Sequence, residues 1–195
     1  MPGHRRRTPI AAARDRRAIR RMELRGLSAA LSLKEGYVWF MTYRVQRLLP
    51  GDIALLHGML TMFGEAFEDE LAYGKKRPSP AYLDRLLGGE SFIALVAVKG
   101  SQVVGGLAAY ELQKFEQERS ELYIYDLAVS EQHRREGIAT ALINELRELA
   151  RQRGAYVVYV QADHGDDPAV ALYTKLGKRE DVMHFDIAVS GTEEG

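Results

Sequence analysis

The chain of 195 residues contains no cysteine. That absence excludes a disulfide framework, a thiol nucleophile and any metal held by thiolates. No apolar run approaches the ~20 residues that a membrane-spanning helix needs, so a membrane is not an expected partner. The N-terminal segment lacks the clean hydrophobic region of a secretory signal, because Lys34 and Glu35 interrupt its only apolar stretch. It is poor in acids, as an organellar transit peptide is, but its poverty in serine argues against that reading. A cytoplasmic location is therefore expected. The chain also lacks an internal repeat.

What is present is ordinary for a soluble globular protein, with 46% hydrophobic and 28% charged residues. The formal net charge of zero conceals an asymmetry. Residues 1–40 hold ten Lys and Arg, nine of them Arg, against three acids, a balance of +7. Residues 41–195 hold 17 basic and 24 acidic residues, a balance of −7. The composition of 1–40 reads as a disordered extension, with a basic arm for an anionic partner as the alternative. Met41 is an alternative start, since a strand-like pattern begins directly after it. The acidic remainder suits a polycationic small molecule through long-range attraction. It is poorly suited to nucleic acid.

Within 41–190 the pattern predicts a mixed α/β sheet of order β-α-α-β-β-β-α-β-α-β with helices on both faces, followed by a frayed tail over 191–195. Thr42–Leu48 reads as the first strand, and Asp52 as the cap of a helix to about Ala66. A polar loop over Phe67–Pro80 precedes a short helix, Ala81–Leu87, stopped at Gly88-Gly89. Ser91–Val98 and Val103–Leu112 form a hairpin, and Glu121–Val129 is the next strand. From Ile138, the helical positions Ile138, Ala141, Leu142, Glu145, Leu146 and Leu149 are apolar but for Glu145, and Gly154 stops that helix. Ala155–Ala162 reads as a strand buried on both faces. A helix capped by Asp166 or Asp167 runs to Gly177, and Val182–Ile187 closes the sheet.

The richest stretch is 123–143, YIYDLAVSEQHRREGIATALI. An apolar strand ends, a polar turn follows, and a helix opens on RREGIA. A helix start offers free N–H groups and a partial positive charge. Gly137 and Ala139 leave room for a phosphate at the backbone, and Arg134 and Arg135 add fixed cations. The spacing Arg-x-x-Gly-x-Ala is neither the P-loop pattern nor GxGxxG.

This loop, the element order and the later PAVALYTKLG (168–177) together resemble the GNAT acyl-CoA N-acyltransferase fold over roughly 42–188. The runs IALVAV, KFEQERSELYIYDLAVSEQHRREGIATALIN and GAYVVYVQADHGDDPAVALYTKLG, with the loop FGEAFEDE, resemble the type I aminoglycoside 3-N-acetyltransferases more closely. The resemblance implies a fourth strand that splays from its neighbour to admit acetyl-CoA. Backbone groups of Asp126, Leu127, Ala128 and Val129 would then hold the pantetheine. Arg134, Arg135, Gly137, Ile138, Ala139 and Thr140 would hold the pyrophosphate. It implies no metal, and a homodimer.

The resemblance also implies that Tyr173 donates a proton as the CoA thiolate leaves; the alternative is an aromatic packed on the cofactor. Asp126 interrupts an apolar strand, where an unpartnered carboxylate is costly. It reads as a substrate contact or proton acceptor, or else as a structural carboxylate at a bulge. Asp163, Asp166 and Asp167 either cap the last helix or ring a pocket for ammonium groups. Glu70, in the Glu68-Asp69-Glu70 run, either faces the acceptor or is simply solvated. His133, His164 and His184 lack metal-ligand spacing. Ser120 and Ser130 lack the neighbours of a covalent nucleophile, so direct transfer is expected. The implied reaction is acetylation of the 3-amino group of 2-deoxystreptamine antibiotics such as gentamicin, conferring resistance. The alternatives are acetylation of a polyamine or protein amino group, or acyl-CoA binding without catalysis.

Overall fold

The computed structural model describes residues 43–75, 77–187 and 189. The extension expected over 1–40 and the tail over 191–195 lie outside the described residues. The chain divides into two units, one ending at Gln161 and one beginning at Ala162.

The first unit is built on a five-stranded sheet in the order β1 to β5. Its strands are β1 (Arg44–Arg47), β2 (Phe92–Lys99), β3 (Gln102–Gln113), β4 (Ser120–Val129) and β5 (Ala155–Val160). β1 to β4 pair antiparallel, and β5 joins β4 in parallel. Helix α1 (Ile53–Phe67) and helix α2 (Pro80–Leu87) connect β1 to β2, and α3 (Ile138–Arg153) connects β4 to β5. That last arrangement is required: a parallel pair needs a crossover of helical length.

Alternation along the central strands divides the core between the two faces. Ala94, Val96 and Val98 pack with Leu56, Met59 and Phe63 of α1 and with Leu83 and Leu87 of α2. Gly105 and Gly106 show the two faces at adjacent positions. A β-carbon on Gly105 would lie 2.6 Å from Cγ2 of Ile138 in α3, and one on Gly106 would lie 2.6 Å from Cγ of Met59 in α1. Both helices therefore approach β3 closely, and α3 buries Ile138, Leu142, Ile143, Leu146 and Ala150. That face is rotated slightly from the expected one, with Ile143 and Ala150 inside. Gly154 ends α3 in the left-handed conformation, at φ 75°. No helix of the described residues is long and apolar enough to cross a membrane.

The second unit holds α4 (Asp167–Leu176). Asp166 is its cap, accepting a hydrogen bond from Ala169 N–H at 3.1 Å, and Pro168 occupies its first turn.

Three expectations require correction. Asp52 occupies the N-cap position of α1, but its carboxylate accepts from Leu49 N–H at 2.9 Å and makes no side-chain cap. The turn before the helix captured that side chain. β5 is not buried on both faces: the adjacent Tyr156 and Val157, which point to opposite faces, are both exposed, so neither face is fully covered in this last strand of the described sheet. Val182–Ile187 forms no strand, and Val182, Met183, Phe185 and Ile187 are 73% to 89% exposed. Alternation provides a strand only where a ladder partner is present.

The two glycines yield a stability prediction. Gly105→Ala and Gly106→Ala should each cost about 1–3 kcal/mol through overpacking, read as a lower urea midpoint. An unchanged midpoint in both would show that the helices can withdraw freely from β3.

Candidate active site

Two features of β4 create the site. The register against β3 shifts between Ala108↔Asp126 and Ala109↔Ile124, so Tyr125 is an extra residue on β4. A bulge of this kind re-aims side chains and ends regular pairing. The ladder to β5 stops at the same place, at Ile124↔Val160. From residue 125 to 129, β4 is therefore paired with β3 alone within this unit. Leu127, Ala128 and Val129 have an outer backbone edge that no strand of this unit pairs, a gap in the ladder.

Asp126 lies at the mouth of that gap and is half-buried. Its carboxylate accepts a hydrogen bond from the Tyr73 hydroxyl at 3.0 Å. Burial pushes its carboxyl above the ordinary range, and the Tyr73 hydrogen bond draws it partly back. Among the described residues no Lys or Arg forms an ion pair with Asp126. The surroundings are phenolic instead. Tyr110 and Tyr125 meet edge to face with ring centroids 5.9 Å apart, and Tyr123 and Tyr125 do so at 6.0 Å. The Asp126 charge helps raise the hydroxyls of Tyr73, Tyr110 and Tyr123, in each case after burial. A carboxylate that is partly desolvated, raised in pKa and short of a cation is suited to receive an ammonium group and a proton.

Tyr73 is the functional candidate that sequence reasoning missed. It belongs to a π-helical turn, Leu71–Lys75, inside the segment expected to be an irregular loop. Single π-turns are often found at functional sites. Here the turn is built by the acidic run itself. Glu68 ends α1 in the left-handed conformation, at φ 56°, and the Asp69 carboxylate accepts from Ala72 N–H at 2.9 Å. Tyr73 then packs against Phe63 and Phe67, at centroid distances of 5.8 and 5.6 Å. Glu70 is exposed on this turn. An aromatic two turns beyond the end of an aromatic helix face was the one available signal.

Past Val129 the chain enters the cradle. Ser130 N–H bonds Val104 C=O at 3.0 Å, which keeps the strand end on β3. A short 3-10 turn, Glu131–His133, leads to Arg134 and Arg135. Arg135 is left-handed at φ 68°, a conformation costing a non-glycine residue about 1 kcal/mol. Gly137 is left-handed at φ 81° and is the N-cap of α3, and no side chain caps that helix. The first helical bond is Ala141 N–H to Gly137 C=O at 3.0 Å. The N–H groups of Gly137, Ile138, Ala139 and Thr140 therefore stand ahead of the ladder. Arg134, Arg135 and Gly137 are exposed, whereas Ile138 is buried beneath them. Exposed cations, free N–H groups and the missing β-carbon fit a diphosphate at this position.

In the second unit Asp163, Asp166 and Asp167 are exposed. Asp166 has a structural role as the helix cap, and Asp167 lies in the first turn of α4. Tyr173 is half-buried within α4. Its hydroxyl is pushed up to about 12, first by burial and then by the Asp166 carboxylate.

Comparison with known proteins places these features in one family. Residues 57–178 match the acetyltransferase (GNAT) family. A crystal structure of an aminoglycoside acetyltransferase from an uncultured soil metagenomic sample is 58% identical, with a TM-score of 0.76, covering 77% of this chain and 100% of that one. A second soil metagenomic aminoglycoside acetyltransferase, solved in complex with sisomicin, is 30% identical with a TM-score of 0.71, covering 76% of this chain and 97% of that one. N-acetyltransferase 8B of Rattus norvegicus is 36% identical over 90 residues, which are 46% of this chain and 40% of that protein. The chain thus spans less than half the length of the curated relatives it matches. With the splayed fourth strand, the cradle at the start of α3 and the match over 57–178, the chain belongs to the GNAT acetyltransferase family.

Proposed function

We propose that this protein is an aminoglycoside 3-N-acetyltransferase, which transfers acetyl from acetyl-CoA to the 3-amino group of 2-deoxystreptamine antibiotics such as gentamicin. The observation that carries this reading is Asp126, a half-buried carboxylate with phenol neighbours and no ion pair to Lys or Arg among the described residues. The charge balance of −7 over residues 41–195 supports a polycationic acceptor. The likeness to two aminoglycoside acetyltransferases, one of them bound to sisomicin, supports the same substrate class.

Leu127, Ala128 and Val129 would hold the pantetheine arm through their free backbone edge, and Arg134, Arg135 and the N–H groups to Thr140 would hold the diphosphate. Bound acetyl-CoA supplies the thioester carbonyl and a thiolate leaving group. Asp126 accepts a proton from the substrate ammonium, directly or through water, which frees the nitrogen lone pair for attack on the carbonyl. The backbone N–H of Leu127 or Ala128 stabilises the developing oxyanion. Tyr173 gives its proton to the departing sulfur; a phenol is protonated at neutral pH even without the upward shift that burial gives this one. Glu70, Asp163 and Asp167 serve as further anchors for the remaining ammonium groups, and Asp166 can join them only with the charge left over from capping. The acetylated nitrogen loses its charge, the antibiotic loses ribosomal affinity, and the host gains resistance. A cytoplasmic, homodimeric enzyme fits this chemistry.

An acetyl-transfer assay with gentamicin, followed by mapping of the modified nitrogen, tests the proposal. Acetylation at position 3 is expected. No CoA release above background, in protein that binds acetyl-CoA, would contradict the substrate assignment.

Asp126→Asn should lower kcat/KM by about 10²–10⁴ and remove the acidic limb of the pH profile. In the parent that limb should lie above the ordinary carboxylate range. Stability moves the opposite way with pH. A raised carboxyl binds protons more tightly in the folded state, so stability falls as pH rises from the ordinary value through the raised one. Asp126→Asn should therefore have a Tm at pH 7 no lower than the parent. A large loss of Tm would identify Asp126 as a structural carboxylate.

Tyr73→Phe removes the one hydrogen bond that draws the Asp126 carboxyl down. The acidic limb should move to higher pH, and an unmoved limb would show that Tyr73 does not act on Asp126. Tyr173→Phe with unchanged turnover would exclude the proton-donor role.

A further inference from the structure

The cradle is held from inside by charged side chains that the proposed chemistry does not use. Between two left-handed residues, Arg135 and Gly137, Glu136 turns its side chain inward, with 13% of it exposed. Its Oε1 lies 3.2 Å from Nδ1 of His133, and its Oε2 lies 3.7 Å from Nζ of Lys99. Lys99 Nζ is also 3.5 Å from His133 Nδ1. One imidazole nitrogen cannot donate to the carboxylate and accept from the ammonium at once. The shorter, charge-assisted contact favours Nδ1–H donating to Glu136. Lys99 ends β2 and His133 ends the 3-10 turn, so the cluster ties the loop to the sheet. The Glu136 Oε2 atom is buried and accepts no hydrogen bond. The same charge, after burial, holds the Tyr43 hydroxyl above its ordinary value. Tyr43 is a core residue whose hydroxyl would lie 4.0 Å from a β-carbon on Gly137.

A carboxylate beside an anion-binding loop lowers the local potential, so on charge alone it opposes diphosphate binding. Its inward orientation and two partners give it a different part. We propose that Glu136, clamped by Lys99 and His133, is a positioning residue that fixes the strained loop 134–137, leaving Arg134, Arg135 and the N–H groups of α3 aimed outward at the diphosphate. The proposal rests on the reading of that loop as the acetyl-CoA cradle. An unclamped loop would relax Arg135 out of the left-handed region, and the N–H groups would lose their common direction.

Direct titration of CoA into the full chain, with steady-state kinetics on the same samples, tests this. Glu136→Gln is the informative variant, because charge and clamp predict opposite signs. Loss of the clamp should raise the Kd for CoA and the KM for acetyl-CoA by about tenfold, with kcat and the KM for the amine within about twofold of the parent. Lys99→Met should do the same, and Lys99→Arg should restore the parental Kd. Tighter CoA binding by Glu136→Gln, or an unchanged Kd, would overturn the proposal. A joint fall in kcat and in both affinities would equally overturn it, as a general loss of structure. A parent protein that binds no CoA would overturn the cradle reading itself, whatever the variants do.

Discussion

β4 loses its second neighbour at Ile124, and the site follows from that loss. Up to Ile124 the strand is laddered on both sides, with Ser120, Leu122 and Ile124 buried. The extra residue at Tyr125 then shifts the register against β3, and the β5 ladder ends at the same point. Within a closed sheet the backbone of 125–129 would be consumed by hydrogen bonds. Here β3 takes one edge of 126–129, and no strand of this unit pairs the other. The same shift places Asp126 at the mouth of the gap, where a carboxylate is partly desolvated without being sealed.

The second constraint is the closeness of the helices to β3. Adjacent glycines, Gly105 and Gly106, let α3 and α1 approach opposite faces of one strand. Ile138 fills the space over Gly105, which sets the height at which α3 begins and so the position of its free N–H groups. One face of the loop carries cations outward, while Glu136 and His133 turn in. The aromatic layer of Phe63, Phe67 and Tyr73 connects α1 to Asp126. In the proposed function, cofactor and acceptor regions share β4 as their common wall.

Much of this was legible in residue order. The helix start at Gly137, with exposed Arg134 and Arg135 before it, could be read because it depends on local backbone geometry and charge alone. Asp126 stood out as a charge in an apolar strand. The cap of the last helix could be narrowed to Asp166 or Asp167, and Asp166 fills it. What stayed hidden depends on contacts distant in sequence or on competition between local partners. Tyr73 meets Asp126 across 53 residues, in a segment whose acidic run looked like solvated loop. Glu136 reads as one more surface charge until its rotamer places it against Lys99. Asp52 is a good cap by type but bonds Leu49 instead. The alternation at Val182–Ile187 has the period of a strand but the segment forms none, so the pattern alone overstated it.

In the proposed function Asp126, which has no ion pair to Lys or Arg among the described residues, gains its counter-charge from the substrate. Titration of the Asp126 carboxyl by carbon NMR, with and without saturating gentamicin, tests it most directly. The account predicts an apparent pKa above the ordinary aspartate range in the free protein and a clear fall when the cationic antibiotic binds. A carboxyl that titrates normally when free, or is unmoved by the antibiotic, would contradict it.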